Sequence, residues 1–231
     1  MTKNVLSRLL GAEIAESRIF QEAVTHRSAG VRNNERLEFL GDAILGLLIA
    51  DYLYTRFPDA KEGELSRLRS HLVRKETLAK IAKEIHLGEL VRLGPGELKS
   101  GGQQRETILA DALEAVFASV YILKGLAETQ QLAREIFRSR LDTLPSPIAL
   151  KDPKSRLQEL LQSKNFGLPK YDVVEAKGES HAQEFESRCV VADLSIETTA
   201  WGNSKRKAEQ ACAQKVLDII QDRRLVDDSA V

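Results

Sequence analysis

Neither sign of charge is in excess in this sequence. Lys+Arg and Asp+Glu number 34 each, so the formal net charge at pH 7 is zero. No chain-wide attraction to a polyanion follows, and any case for nucleic acid has to rest on local charge. Cysteine is scarce: Cys189 and Cys212 cannot build a disulfide framework, and both lie in apolar surroundings suited to buried thiols in a reducing compartment. No run of about 18 apolar residues is present, so no membrane span is expected. The amphipathic start MTKNVLSRLLGAEI lacks the apolar core of a signal peptide, and a cytoplasmic protein is the expectation. Internal repeats and low-complexity tracts are also missing. The four histidines (His26, His71, His86, His181) are scattered, with no metal-ligand spacing among them. What remains is a 231-residue chain, 42% hydrophobic and 29% charged, with enough apolar content for one or two ordinary cores.

Proline and glycine divide it. Pro145, Pro147 and Pro153 fall within DTLPSPIALKDPKS, where the missing amide donors end helices. Before this break the pattern is helical. Ile44, Leu47, Leu48 and Leu53 recur at helical spacing. So do Leu68, Leu72, Leu78, Ile81 and Ala82 in SRLRSHLVRKETLAKIAKEI, and another apolar helix runs from Ile108 to Leu123. LGPGELKSGGQQ, with four glycines and a proline, reads as a loop. After the break SRLQELLQSK reads as a helix. KYDVVEAKG, QEFESRCVVAD and LSIETTAWG read as short strands, the second with Phe185, Ser187, Cys189 and Val191 on one face. NSKRKAEQACAQKVLDII returns to a helix, with Ala208, Ala211, Cys212, Val216 and Ile219 as its inner stripe. The expected class is an α+β multidomain chain: an all-α domain over 1–144, a linker at 145–152, a small α-β-β-β-α domain over 153–222 and a flexible tail at 223–231.

NNERLEFLGD places Glu35, Glu38 and Asp42 at i, i+3 and i+7, on one helical face beside Leu37, Leu40 and Ile44. Asp111 and Glu114 form a second i, i+3 pair among Ile108, Leu109, Leu113 and Val116. A single acid at a helix edge is ordinarily solvated or serves the helix start, as Glu35 would after Asn33 or Asn34. Two acidic clusters on apolar helices are different. A buried, unpaired carboxylate costs several kcal/mol, and a hard divalent cation such as Mg²⁺ relieves that cost with oxygen ligands. Gly41 inside a helix costs about 1 kcal/mol relative to alanine, which predicts close approach of another backbone.

NERLEFLGD resembles the signature of ribonuclease III, and the likeness extends through THRS (25–28), RFP (56–58), LRSHLVR, LGPGELKSGG and ILADALEA. It covers nearly the whole chain, including a C-terminal part that resembles a double-stranded-RNA-binding domain. The resemblance implies a helical endonuclease domain that dimerises and a Mg²⁺-dependent hydrolysis of duplex RNA, with Mn²⁺ able to substitute. The products would carry a 5′-phosphate and a 3′-hydroxyl, with short 3′ overhangs. It implies substrates among ribosomal RNA precursors and some messenger and transfer RNA precursors. Glu38, Asp111 and Glu114 match metal ligands. Asp42 and Glu114 match the essential catalytic acids, Asp42 acting through water on the metal, and Glu35 and Glu62 match accessory acids near the cleft. Phe39 is implied at the subunit interface. This chemistry needs no nucleophilic Ser, Cys or His, since a hard cation can activate water and neutralise the charge growing on the phosphoryl oxygens.

Between 151 and 222, 11 Lys+Arg stand against 12 Asp+Glu, so positive charge in the C-terminal part is local rather than general. Lys205, Arg206 and Lys207 sit at a helix N-terminus behind Asn203 or Ser204, where free amides also attract phosphate. A double-stranded-RNA-binding domain reads shape across successive minor grooves and the phosphates between them. The resemblance assigns Ser155, Gln158 and Glu159 to one groove and the loop Gly178, Glu179, Ser180, His181 to the next. Ser204, Lys205, Arg206 and Lys207 would meet the phosphates. Trp201, at a strand end, reads as packing rather than as a base-stacking platform. Two rivals remain. A catalytically inactive duplex-binding protein would be signalled by loss of Asp42 or Glu114, and both are present. A small-molecule phosphohydrolase would not need the second domain.

Overall fold

The computed structural model describes residues 5–145, 151–178 and 183–223. The chain divides into two compact units, Met1–Pro147 and Ile148–Val231. Residues 146–150 of the expected linker, residues 224–231 of the expected tail, and Glu179, Ser180 and His181 of the expected RNA-binding loop lie outside the described residues.

The first unit is helical: α1 (Val5–Ala15), α2 (Arg18–Ala23), α3 (Glu35–Arg56), α4 (Glu62–Val73), α5 (Lys75–Glu84), α6 (Pro95–Lys99), α7 (Glu106–Lys124), α8 (Leu126–Ile136) and α9 (Arg138–Asp142). Helix α7 is the axle. Ala112 through Val120 are all buried, because α3 and α5 pack along it, and Phe117 meets Phe137 at a tilt, 6.2 Å between centroids. From α3 come Leu37, Ile44, Leu45, Leu48, Ile49 and Leu53, and from α5 Leu78, Ala79, Ile81 and Ala82. Apolar burial of this extent, at about 25 cal/mol per Å², is the main term holding the helices together.

Three expectations are corrected here. The run SRLRSHLVRKETLAKIAKEI is two helices, not one, broken at Arg74, whose extended backbone (φ −68°, ψ 151°) turns the chain. Thr77 Oγ1 donates to the His71 carbonyl at 2.8 Å and takes up part of the interrupted ladder. The glycine-rich 93–104 stretch is not loop throughout, since Pro95 at the first helical position opens α6. Within α3 the apolar stripe is not all inward: Leu47 is 56% exposed, and Phe39, implied at a subunit interface, is 80% exposed.

The second unit is α10 (Pro153–Ser163), β1 (Lys170–Lys177), β2 (Glu184–Val191), β3 (Ile196–Gly202) and α11 (Lys205–Asp222). The strands form an antiparallel sheet in the order β1-β2-β3, with Tyr171, Cys189 and Thr198 in register across it and an irregularity between Val173 and Glu175. Both helices cover one face. The core joins Leu157 and Leu161 of α10 to Cys189, Val191, Ile196 and Ala200 of the sheet and Cys212, Val216 and Ile220 of α11. The inner stripe of α11 is therefore rotated from the expected one: Ala208, Cys212, Ala213, Val216, Leu217 and Ile220 are buried, while Ala211 and Ile219 are only partly so. Both cysteines are buried thiols, and burial pushes both pKa values up, Cys189 to about 11.

Candidate active site and nucleic-acid interface

Helices α3 and α7 lie unusually close where their acids meet. A Cβ on Gly41 would stand 1.9 Å from the Glu114 carbonyl oxygen, so only glycine permits this approach, as its place inside a helix predicts. The contact brings Glu38, one turn earlier on α3, against Asp111 and Glu114 of α7. One carboxylate oxygen from each of the three lies within 4.8 Å of the others. Glu114 is 6% exposed. Burial, reinforced by the charges of Asp42, Asp111 and Glu38, pushes its pKa up to about 8. Glu38 is raised too, by burial first and then by Asp111. Like charges held this close in a partly dry site oppose full ionisation. Three convergent carboxylates are an all-oxygen donor set, which suits a hard divalent cation and offers nothing to a thiophilic one.

The other acids of the first unit are placed differently. Asp42 is exposed, yet its charge reaches Glu114. Glu35 is exposed and pairs with Arg27 at 3.5 Å, and its amide donates to Asn33 Oδ1 at 3.1 Å. The expectation that all three acids of NNERLEFLGD are drawn into apolar surroundings is corrected: among them only Glu38 is. Glu62, in the first turn of α4, is exposed and accepts from Ser66 Oγ at 2.8 Å, outside the three-acid cluster.

Beside the cluster opens a pocket of about 340 Å³ walled by His26, Arg27, Glu35, Glu38, Glu97, Arg105 and Asp111, among others. Bonds donated by backbone amides hold its rim. His26 N–H donates to the Arg92 carbonyl at 3.0 Å, Asn34 N–H to the Thr25 carbonyl at 2.9 Å, and Gly94 N–H to Ser28 Oγ at 3.0 Å. These bonds join THRS, the start of NERLEFLGD and LGPGELKSGG. Two residues here escape sequence reasoning. Lys75 Nζ donates to Asp111 Oδ1 at 3.0 Å, and Arg105 pairs with Glu97 at 2.7 Å. Neither belongs to a motif singled out in the sequence, and only the fold sets each beside its acid.

In the second unit Ser204 caps α11, its Oγ accepting from Lys207 N–H at 3.2 Å. Gly202 lets the end of β3 lie against the first turn, where a Cβ would meet Ala208 N at 2.5 Å. Lys205, Arg206 and Lys207 are exposed, with Lys205 over the Phe185 ring at 5.8 Å. On α10 the Asp152 cap accepts from Ser155 N–H at 3.2 Å and from Ser155 Oγ at 2.6 Å, so the Ser155 hydroxyl hydrogen is engaged. Gln158 and Glu159 are exposed, and Glu159 pairs with Lys151. Gly178 leaves β1 with φ 92°. Trp201 is 39% exposed beneath Lys177, whose Nζ is 4.7 Å from the ring centroid.

An acidic, oxygen-only centre on one unit and a cation-tipped helix on the other is a pairing suited to the chemistry of a phosphodiester chain. Comparison with known proteins gives the same class. The family described as Ribonuclease-III-like matches residues 16–141, and that described as Double-stranded RNA binding motif matches residues 153–220. Ribonuclease 3 of Pasteurella multocida (strain Pm70) is 47% identical over 223 residues, 96% of this chain and 99% of that relative. Two solved nuclease-domain structures of ribonuclease III from Campylobacter jejuni also match. One is 34% identical with a TM-score of 0.58, covering 62% of this chain and 99% of that one. The other, solved with structural flexibility in the region involved in its dimer formation, is 35% identical with a TM-score of 0.57, covering 60% and 97%. The chain belongs to the ribonuclease III family, and it joins a helical nuclease domain to a double-stranded-RNA-binding domain. Among the described residues no helix is long and apolar enough to cross a membrane.

Proposed function

We propose that this chain is a Mg²⁺-dependent endoribonuclease that cuts duplex RNA to 5′-phosphate and 3′-hydroxyl products with short 3′ overhangs. The observation that carries this reading is the convergence of Glu38, Asp111 and Glu114 from two helices, in a chain that also has a duplex-RNA-binding domain. These three carboxylates would hold the ion. Bound there, Mg²⁺ supplies activation of water and neutralisation of the charge that grows on the scissile phosphate. Glu114, whose pKa is raised by burial and by its acidic neighbours, would have to be ionised to serve as a ligand. Asp42, at the exposed margin, orients the attacking water, while Glu35 and Glu62 have accessory roles. Ser155, Gln158, Glu159 and the 178–181 loop would lie in minor grooves, and Ser204 to Lys207 against phosphates.

The domain limits that go with this reading are 1–144 for the nuclease and 153–222 for the RNA-binding domain. Ribosomal RNA precursors, with some messenger and transfer RNA precursors, are the proposed substrates in a cytoplasmic setting. A symmetric homodimer completes it. Phe39, Leu47 and Tyr54 recur along one side of α3 and are 80%, 56% and 74% exposed, which supports a second copy packing there. The deciding experiment is incubation of the purified chain with a long RNA duplex, with and without Mg²⁺, alongside sedimentation. Ion-dependent cutting by a dimer is expected. An intact duplex in Mg²⁺ overturns the enzymatic reading in favour of a binding-only protein, and a fully active monomer overturns the assembly.

A further inference from the structure

Lys75 is the first residue of α5. The break at Arg74 turns the chain so that α5 runs along α7, and this sets the Lys75 ammonium over the acidic centre. Its Nζ donates to Asp111 Oδ1 at 3.0 Å. The Asp111 side chain is 22% exposed and that of Lys75 57%, so the lysine reaches in from the solvent side. Its charge acts on Asp111, Glu38 and Glu114 together, and it opposes the upward pKa shifts of Glu38 and Glu114. In a cluster of like charges it is the counter-charge.

We propose that Lys75 is a resident counter-cation that competes with the divalent ion for Asp111 and so sets the ion concentration at which the centre fills. The inference rests on the metal reading given above. A positive charge 3.0 Å from a ligand oxygen lowers the negative potential that draws a second cation to the same carboxylates. The flexible four-carbon stem allows the ammonium to leave when the ion arrives, which a rigid guanidinium fork would do less readily. Lys75 is thus a positioning residue of the metal-free centre rather than a catalytic one.

Mn²⁺ alone, titrated calorimetrically into the full chain without RNA, tests this. Lys75→Met keeps the length of the side chain and removes its charge. It should bind Mn²⁺ about tenfold more tightly than the parent, while Lys75→Arg, whose fork leaves less readily, binds no more tightly than the parent. The metal-free Lys75→Met protein should melt lower than the parent and gain more from saturating Mn²⁺, because its acids have lost their counter-charge. Equal or weaker Mn²⁺ binding by Lys75→Met, with the parent binding normally, overturns the competition and leaves the metal reading intact. A parent chain that takes up no Mn²⁺ overturns both.

Discussion

Glu114 is 6% exposed among other carboxylates, whereas Lys205, Arg206 and Lys207 stand in solvent at the tip of α11. The two units thus treat charge in opposite ways. In the nuclease domain, acids on two packed helices are fixed within 4.8 Å, and electrostatic strain shows as the raised pKa values of Glu114 and Glu38. In the RNA-binding domain the cations stay exposed, and their helix end is prepared by the Ser204 cap and the close packing at Gly202. The difference follows from the two tasks. Bond cleavage requires donors fixed to a fraction of an ångström before the substrate arrives. Recognition of duplex shape requires phosphate contacts that tolerate sequence and slight misfit.

Glu114→Gln should break the comparison at its strained end with the largest effect. Cutting should fall about a thousandfold or more, because the change removes a ligand charge from the centre. Duplex binding in Ca²⁺ should remain near the parent level, since the proposed RNA contacts lie on the other domain. Single-turnover cleavage and gel-shift titration on one duplex measure the two separately. Near-parent cutting would remove Glu114 from the ion site.

At the solvated end, replacing Lys205, Arg206 and Lys207 together by alanine should weaken duplex binding about ten- to a hundredfold at physiological salt. The slope of log affinity against log salt should fall by up to about three units. Low-salt cleavage should survive in part. An unchanged slope would make these residues a merely solvated face.

The smallest effect sharpens the contrast without RNA. Glu114 has a folded pKa of about 8 against an ordinary 4.5, so the fold holds a proton there that the unfolded chain gives up between these values. Stability contributed by the protonated group is fully present below the unfolded value and is lost as pH rises toward about 8. Melts in chelator should show this loss at up to about 1.4 kcal/mol per pH unit, with Glu38 adding in the same direction. Glu114→Gln should flatten the profile and melt higher than the parent at the alkaline end. A parent profile already flat would show that the acids are less strained than their burial implies.

Much of this architecture is legible in the sequence because it is written in local periods. The long apolar run of α7 and the two-residue alternation of Ser187, Cys189 and Val191 each announce an element, and Gly41 announces a close contact. What escapes depends on the third dimension. The break at Arg74 has neither proline nor glycine to mark it, and it is supported by the Thr77 to His71 bond, a tertiary choice over helix propensity. The exposed Leu47 reads with the core because periodicity reports apolar positions without saying which partner covers them. Lys75 and Arg105 are ordinary surface cations until folding sets them beside Asp111 and Glu97.

The meeting of Gly41 with the Glu114 peptide has a consequence for anyone wishing to transplant this centre. Grafting only the carboxylates onto another pair of helices would reproduce the ligand set but not its gauge, because ordinary helix pairs run 8–10 Å apart. The portable unit is the three acids together with the bare glycine, since any side chain at position 41 forces α7 outward at the very residue whose carboxylate must stay in place.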